Sequence, residues 1–109
     1  IDALGVERLA LERCAPGPLL ESLAARGCNQ VLWECGTELA AAALREDCVQ
    51  EVAAVIAPML LGGEPARTPL GLLGAETMAE VPTLTTRQLG WLERDLLWRA
   101  SLDRPWRPG

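Results

Sequence analysis

Apolar positions in this chain follow one rhythm and then another. Leu19, Leu20, Leu23 and Ala24 recur at helical spacing and predict a helix over residues 18–26. Pro18 suits its first position, and Gly27 suits the C′ position beyond its end. The cluster Pro16-Gly17-Pro18 reads as the break between this helix and a short strand over residues 6–11. A second apolar run over residues 29–34 reads as a strand, followed by a helix over residues 37–46 with Leu39, Ala40, Ala43 and Leu44 facing inward. Its alanines favour the helix and let it approach a sheet closely. Residues 51–57 (Glu-Val-Ala-Ala-Val-Ile-Ala) are almost continuously apolar, the pattern of a strand covered on both faces in a parallel sheet.

Strand, helix, strand, helix, strand implies two right-handed crossover units. The pattern changes after Pro58. Residues 59–82 are rich in Gly and Pro and read as loop, with one helical turn near residues 74–79. Residues 83–89 carry β-branched side chains, and residues 96–102 place Leu96, Trp98, Ala100 and Leu102 on one face. These two segments pair as an antiparallel hairpin around residues 90–95. The expected fold is therefore α/β: three layers, a mostly parallel sheet with flanking helices, and a C-terminal antiparallel hairpin. No repeat and no second domain are visible. Residues 1–102 form the folded part, and residues 103–109 a frayed tail.

Composition narrows the function. The 109 residues carry a formal net charge of −5 and no His. All ten basic residues are Arg, scattered until Arg104 and Arg107 in the tail, so there is no clustered basic face for nucleic acid. No segment has the length and apolarity of a membrane span. Lack of His excludes His-based triads and His general bases. Cys14, Cys28, Cys35 and Cys48 form no Cys-x-x-Cys pair and sit beside apolar residues. They read as reduced, buried thiols, with no metal, in the reducing cytoplasm. The chain starts at Ile1 rather than Met and reads as part of a longer polypeptide.

One segment carries candidate chemistry: Gln30-Val31-Leu32-Trp33-Glu34-Cys35-Gly36-Thr37-Glu38-Leu39-Ala40. An apolar strand ends in an acid, two small residues follow, and a helix begins. A helix start leaves about four N–H groups without intrahelical partners and bears roughly half a positive charge, so it suits a phosphate. An ordinary capped helix packed on its neighbours fits the same pattern. Glu34 stands at the strand's carboxyl end, where α/β folds bind ligands, or is a plain surface acid. Gly62 and Gly63 allow a positive-φ turn close to a ligand, or a simple turn. Arg67 is placed to pair with a phosphate, or is a solvated loop residue. Trp33 and Trp98 read as core.

These pieces occur in a recognisable order. Val31-Leu32-Trp33-Glu34-Cys35-Gly36-Thr37-Glu38-Leu39-Ala40, then Val49-Gln50-Glu51-Val52, then Ile56-Ala57-Pro58-Met59-Leu60-Leu61-Gly62-Gly63, resemble the reductase domain of the bifunctional riboflavin-biosynthesis deaminase–reductases. The resemblance covers roughly residues 6–102 and implies the C-terminal part of a dihydrofolate reductase-like domain. It implies an enzyme that reduces 5-amino-6-(5-phosphoribosylamino)uracil to its ribityl form with NADPH. Glu34 would contact the substrate. Gly36, Thr37, Glu38, Leu39, Ala40, Ala41 and Ala42 would hold the cofactor's phosphates and ribose. The cofactor carries the hydride chemistry, so no catalytic nucleophile is required.

Three positions depart from the family's pattern: Cys35, where relatives carry Gly or Ala; Glu38, where a neutral polar residue is usual; and Met59, where Lys is frequent. Family reductase domains run to about twice this length, on the scale of larger α/β domains. The isolated chain is therefore expected to have little or no reductase activity. Relatives commonly dimerise, which implies a homodimer. The competing expectation is a non-catalytic nucleotide-binding or assembly module with the same fold.

Overall fold

The computed structural model describes residues 3–63 and 68–103. Five main elements follow in order: α1 (Pro16–Ala25), α2 (Thr37–Arg45), β1 (Glu51–Ile56), β2 (Leu84–Leu92) and β3 (Asp95–Leu102). A single 3₁₀ turn, Met78–Glu80, lies between β1 and β2.

Helix α1 starts two residues earlier than its apolar spacing predicts. Pro16 and Pro18 fall in the first turn, where N–H groups lack intrahelical partners anyway, so their missing donors cost the helix nothing. The Pro-Gly-Pro cluster begins the helix instead of separating it from a strand. Its end follows expectation. Gly27 has φ +89°, its N–H donates to Ala24 O at 2.9 Å, and Cys28 N–H donates to Leu23 O at 3.1 Å. Helix α2 ends the same way: Asp47 has φ +58°, Asp47 N–H donates to Leu44 O at 3.1 Å, and Cys48 N–H donates to Ala43 O at 2.8 Å. Both are Schellman closures, which satisfy the last free carbonyls of a helix.

Among the described residues the sheet has three strands in the order β1-β3-β2, and both pairings are antiparallel. The expected hairpin is present and longer than its β-branched core, with Leu92 opposite Asp95 across a two-residue turn at Glu93 and Arg94. Gly90 lies inside β2, opposite Leu97. A register shift between Thr86 and Gln88 leaves Arg87 as an extra residue, and its Nε donates to Ser101 Oγ at 2.8 Å. On the same face Arg99 donates to Glu51 Oε1 at 2.7 Å and to Gln88 Oε1 at 2.9 Å. This face is polar and solvated. Ala100 is fully buried, and Trp98, which is half-buried, gives its indole N–H to Thr86 Oγ1 at 2.9 Å.

The mostly parallel sheet does not form among the described residues. Residues 6–11 and 29–34 belong to no ladder, and β1 pairs with β3 alone. An apolar stretch becomes a strand only when a neighbour supplies partners for its backbone. Among the described residues no such neighbour pairs with residues 29–34, where Leu32 is 79 % exposed. β1 likewise lacks its second cover: Val55 and Ile56 are 54 % and 52 % exposed.

Among the described residues the buried hydrophobic set is small: Ala41, Ala43, Leu44, Cys48 and Ala100. Helix α2 therefore buries a face centred on Ala41, Ala43 and Leu44, and Leu39 lies outside it. The radius of gyration is 16.1 Å, against about 13 Å for a compact domain of this size. Only Cys48 of the four cysteines is buried; Cys14, Cys28 and Cys35 are free and exposed, contrary to the burial expected from their apolar neighbours. Of the expected tail, Asp103 is tied down by its N–H to Thr83 O at 3.1 Å, and residues 104–109 lie outside the described residues. Among the described residues, no helix is long and apolar enough to cross a membrane.

Candidate functional site

Trp33 anchors the approach to α2. Half-buried, it donates its indole N–H to Cys48 O at 3.2 Å and so fixes residues 29–34 against the end of the helix they precede. Glu34 follows it, exposed, two residues before the cap. The N-cap is Gly36, with φ −75° and ψ 179°, and no side chain caps the helix. A Cβ built on Gly36 would meet nothing within 4 Å. Among the described residues the start of α2 is thus sterically open at Gly36, and no side chain caps its first N–H groups. Partial positive charge at such an end attracts an anion.

The remaining candidate residues separate by burial. Glu38 is exposed, and Thr37, Ala40 and Ala42 are half-buried. Ala41 is 1 % exposed, so its side chain packs in the interior and is not available to a ligand. Leu39 is 41 % exposed. It forms one wall of an open cleft of about 330 Å³ together with Glu7, Leu9, Leu11, Pro16 and Leu19. The cleft is apolar apart from Glu7, whose carboxylate pairs with the Arg26 guanidinium at 2.5 Å. Residues 9 and 11, read from sequence as a strand, line this cleft instead.

A loop crosses the other side of the helix start. Gly71 N–H donates to Thr37 O at 3.0 Å, and a Cβ at Gly71 would lie 3.3 Å from that oxygen. Arg45 donates to Leu72 O, which ties the same loop to the helix. Gly62 and Gly63 have φ +64° and +95°, as a tight glycine turn requires. Arg67 lies outside the described residues.

The cleft, the Glu7–Arg26 pair and the Gly71 contact escape sequence reading, because each joins residues far apart in the chain. The capping box around the 3₁₀ turn does have a local signal. In Thr77-Met78-Ala79-Glu80, Glu80 Oε2 accepts from Thr77 N–H at 2.9 Å and from Glu76 N–H at 2.6 Å. Those backbone donors hold the Glu80 carboxyl below its ordinary value.

Residues 2–95 match the RibD C-terminal domain family. Riboflavin biosynthesis protein RibD of Synechocystis is 46 % identical over 85 residues, which make up 78 % of this chain and 23 % of that protein. The chloroplastic riboflavin biosynthesis protein PYRR of Zea mays is 36 % identical over 99 residues, 91 % of this chain and 16 % of that protein. Two structures of Acinetobacter baumannii RibD, forms 1 and 2, superpose with TM-scores of 0.77 and 0.75 at 28 % and 29 % identity. They cover 93 % and 91 % of this chain, which spans 28 % and 27 % of theirs. The chain therefore spans between a sixth and just over a quarter of the length of these relatives. Matching over most of its length in sequence and in fold, this chain belongs to the RibD C-terminal domain family.

Proposed function

We propose that this chain forms the cofactor-side part of an NADPH-dependent reductase. The reaction is conversion of 5-amino-6-(5-phosphoribosylamino)uracil to its ribityl form in riboflavin biosynthesis. The observation that carries the reading is the open, uncapped start of α2 immediately after Glu34, in a chain of the RibD C-terminal domain family. Backbone N–H groups of Thr37, Glu38 and Leu39 receive the diphosphate, and Gly36 leaves room for it. Exposed side chains and backbone of residues 36–42 hold the adjoining ribose, while Ala41 contributes only through packing. Glu34 accepts hydrogen bonds from the substrate and orients it. When bound, the cofactor supplies hydride, and the protein's part is to hold donor and acceptor in register.

Glu38 favours a second reading. An acid in the first turn opposes a phosphate close by, which suits a module that keeps the fold without turnover. Titration of the full-length protein with NADPH, followed by loss of NADPH absorbance with substrate, separates the two. Binding with turnover supports the reductase, and binding without turnover supports the module. Absence of binding, with no change on Gly36→Val, removes both. The isolated 109-residue chain, with a three-stranded sheet and a small core, turns over little or no substrate on its own. The open edge of β1 and its exposed apolar neighbours support association as a homodimer, and four free cysteines support a cytoplasmic setting.

A further inference from the structure

On the reading that a nicotinamide dinucleotide seats at the start of α2, we infer that Gly71 and Arg45 are positioning residues for it. Through the loop at residues 70–72 they keep the first turn of the helix ordered. They do so from its carbonyl side, which leaves its N–H groups open. Among the described residues no side chain caps that start. A helix end without a cap is less stable and frays. A ligand that binds a frayed turn has to order it, and that ordering is subtracted from its affinity.

Two contacts supply the order in advance. Gly71 N–H donates to Thr37 O, the first carbonyl of α2, at 3.0 Å. Arg45, in the last turn, donates to Leu72 O. Side chains lean toward the N-terminus of their helix, so Arg45 reaches back along α2 to the residue beside Gly71. Thr37, Ala41 and Arg45 follow one another at the spacing of one helix face, and Ala41 between them is 1 % exposed. The loop meets this face backbone on backbone. A Cβ at Gly71 would stand 3.3 Å from Thr37 O and 3.6 Å from Glu38 Cα, so a side chain there displaces either the loop or the first turn. Upstream, Thr68 Oγ1 donates to Leu70 O at 2.5 Å and shapes the approach. The Leu72 side chain is 85 % exposed, so its backbone carbonyl, and not its burial, joins it to the helix. The loop holds a carbonyl and an anion needs N–H donors, so the two do not compete.

The test is titration of the full-length protein with NADPH, followed by steady-state kinetics with NADPH and the pyrimidine varied in turn. Gly71→Ala is expected to raise Kd and KM for NADPH about fivefold and Arg45→Ala about threefold, with kcat and the pyrimidine KM within about twofold of wild type. Arg45→Lys keeps a donor for Leu72 O and is expected to restore NADPH binding. Both residues act through one loop, so the double variant is expected to fall short of the product of the two effects. Gly27→Ala, which strains the end of α1 at φ +89°, controls for a general loss of stability and is expected to leave NADPH binding unchanged. Unchanged binding in both loop variants, or an equal loss in Gly27→Ala, overturns the positioning role and leaves the dinucleotide site standing. Should Gly71→Ala not fold, the contrast between Arg45→Ala and Arg45→Lys decides alone. Failure of the folded wild type to bind NADPH overturns the dinucleotide reading, and this inference with it.

Discussion

Glu46, the residue that closes α2, points its carboxylate at the first turn of α1, where Oε1 lies 3.4 Å from the backbone nitrogen of Gly17. The N-cap of α1 is Ala15, which has no side chain able to cap. One helix end thus supplies the acceptor that the other lacks. Arg13 approaches the same carboxylate at 4.0 Å. A negative group near a helix start stabilises it through its N–H groups and its dipole. Glu46→Ala is expected to lower stability by about 0.5–1 kcal/mol, read as a shift in the urea midpoint. Ala15→Ser should recover part of the loss by providing a local cap.

The hairpin turn holds a residue that its conformation does not favour. Glu93 has φ +57°, in the left-handed region that costs most residues about 1 kcal/mol. Glu93→Gly is therefore expected to raise stability by about 0.5–1 kcal/mol. The opposite change at Gly27, φ +89°, is expected to lower it by about 1–2 kcal/mol as Gly27→Ala. Thermal unfolding of the two variants beside wild type checks both signs.

Acidification acts on a small set of carboxylates. The hydrogen bond from Arg99 holds the Glu51 carboxyl below its ordinary 4.5. Thr85 does the same for Asp103, whose ordinary value is 3.8. A lowered folded-state value means that the ionised form favours the fold. This stability is present above the ordinary value and is lost as pH falls through the lowered one. The urea midpoint is expected to fall as pH drops below the ordinary carboxylate range, and Glu51→Gln should make that fall shallower. A variant with the same pH profile as wild type would remove the Glu51–Arg99 pair from the account.

The four thiols differ in access. Burial, then the nearby Glu46 and Asp47 carboxylates, push the Cys48 thiol above its ordinary 9.0, which disfavours the reactive thiolate. Cys14, Cys28 and Cys35 face solvent. A thiol reagent at neutral pH is expected to label these three first and Cys48 only when the protein opens. Mass mapping of labelled peptides over time gives the order directly.

Much of this architecture is legible in the sequence where a signal is local. Leu19, Leu20 and Leu23 mark α1, Gly27 marks its end, and the β-branched run before Gly90 marks the hairpin. The start of α2 at Gly36 and Thr37 is readable for the same reason. What cannot be read locally is whether an extended apolar segment finds a partner. Residues 29–34 have strand composition, but pairing depends on chain elsewhere. The inward face of α2 is legible only in part: Ala43 and Leu44 are buried as expected, and Leu39 is not. A row of alanines gives little contrast between faces, so Ala41 is buried and Leu39 borders the cleft instead. The Glu7–Arg26 pair joins positions 19 residues apart and leaves no local trace.

Gly71 gives its N–H to the first carbonyl of α2, and its neighbour Leu72 is gripped from the last turn of the same helix by Arg45. The crossing between β1 and β2 is thereby fastened to the helix rather than left to wander. Any tilt of the first turn must drag this strap with it, and a bulkier residue at Gly71 would push on Thr37. An anion seated at the helix start would accordingly be felt two elements away, as altered protease sensitivity or amide exchange around Leu70 to Leu72.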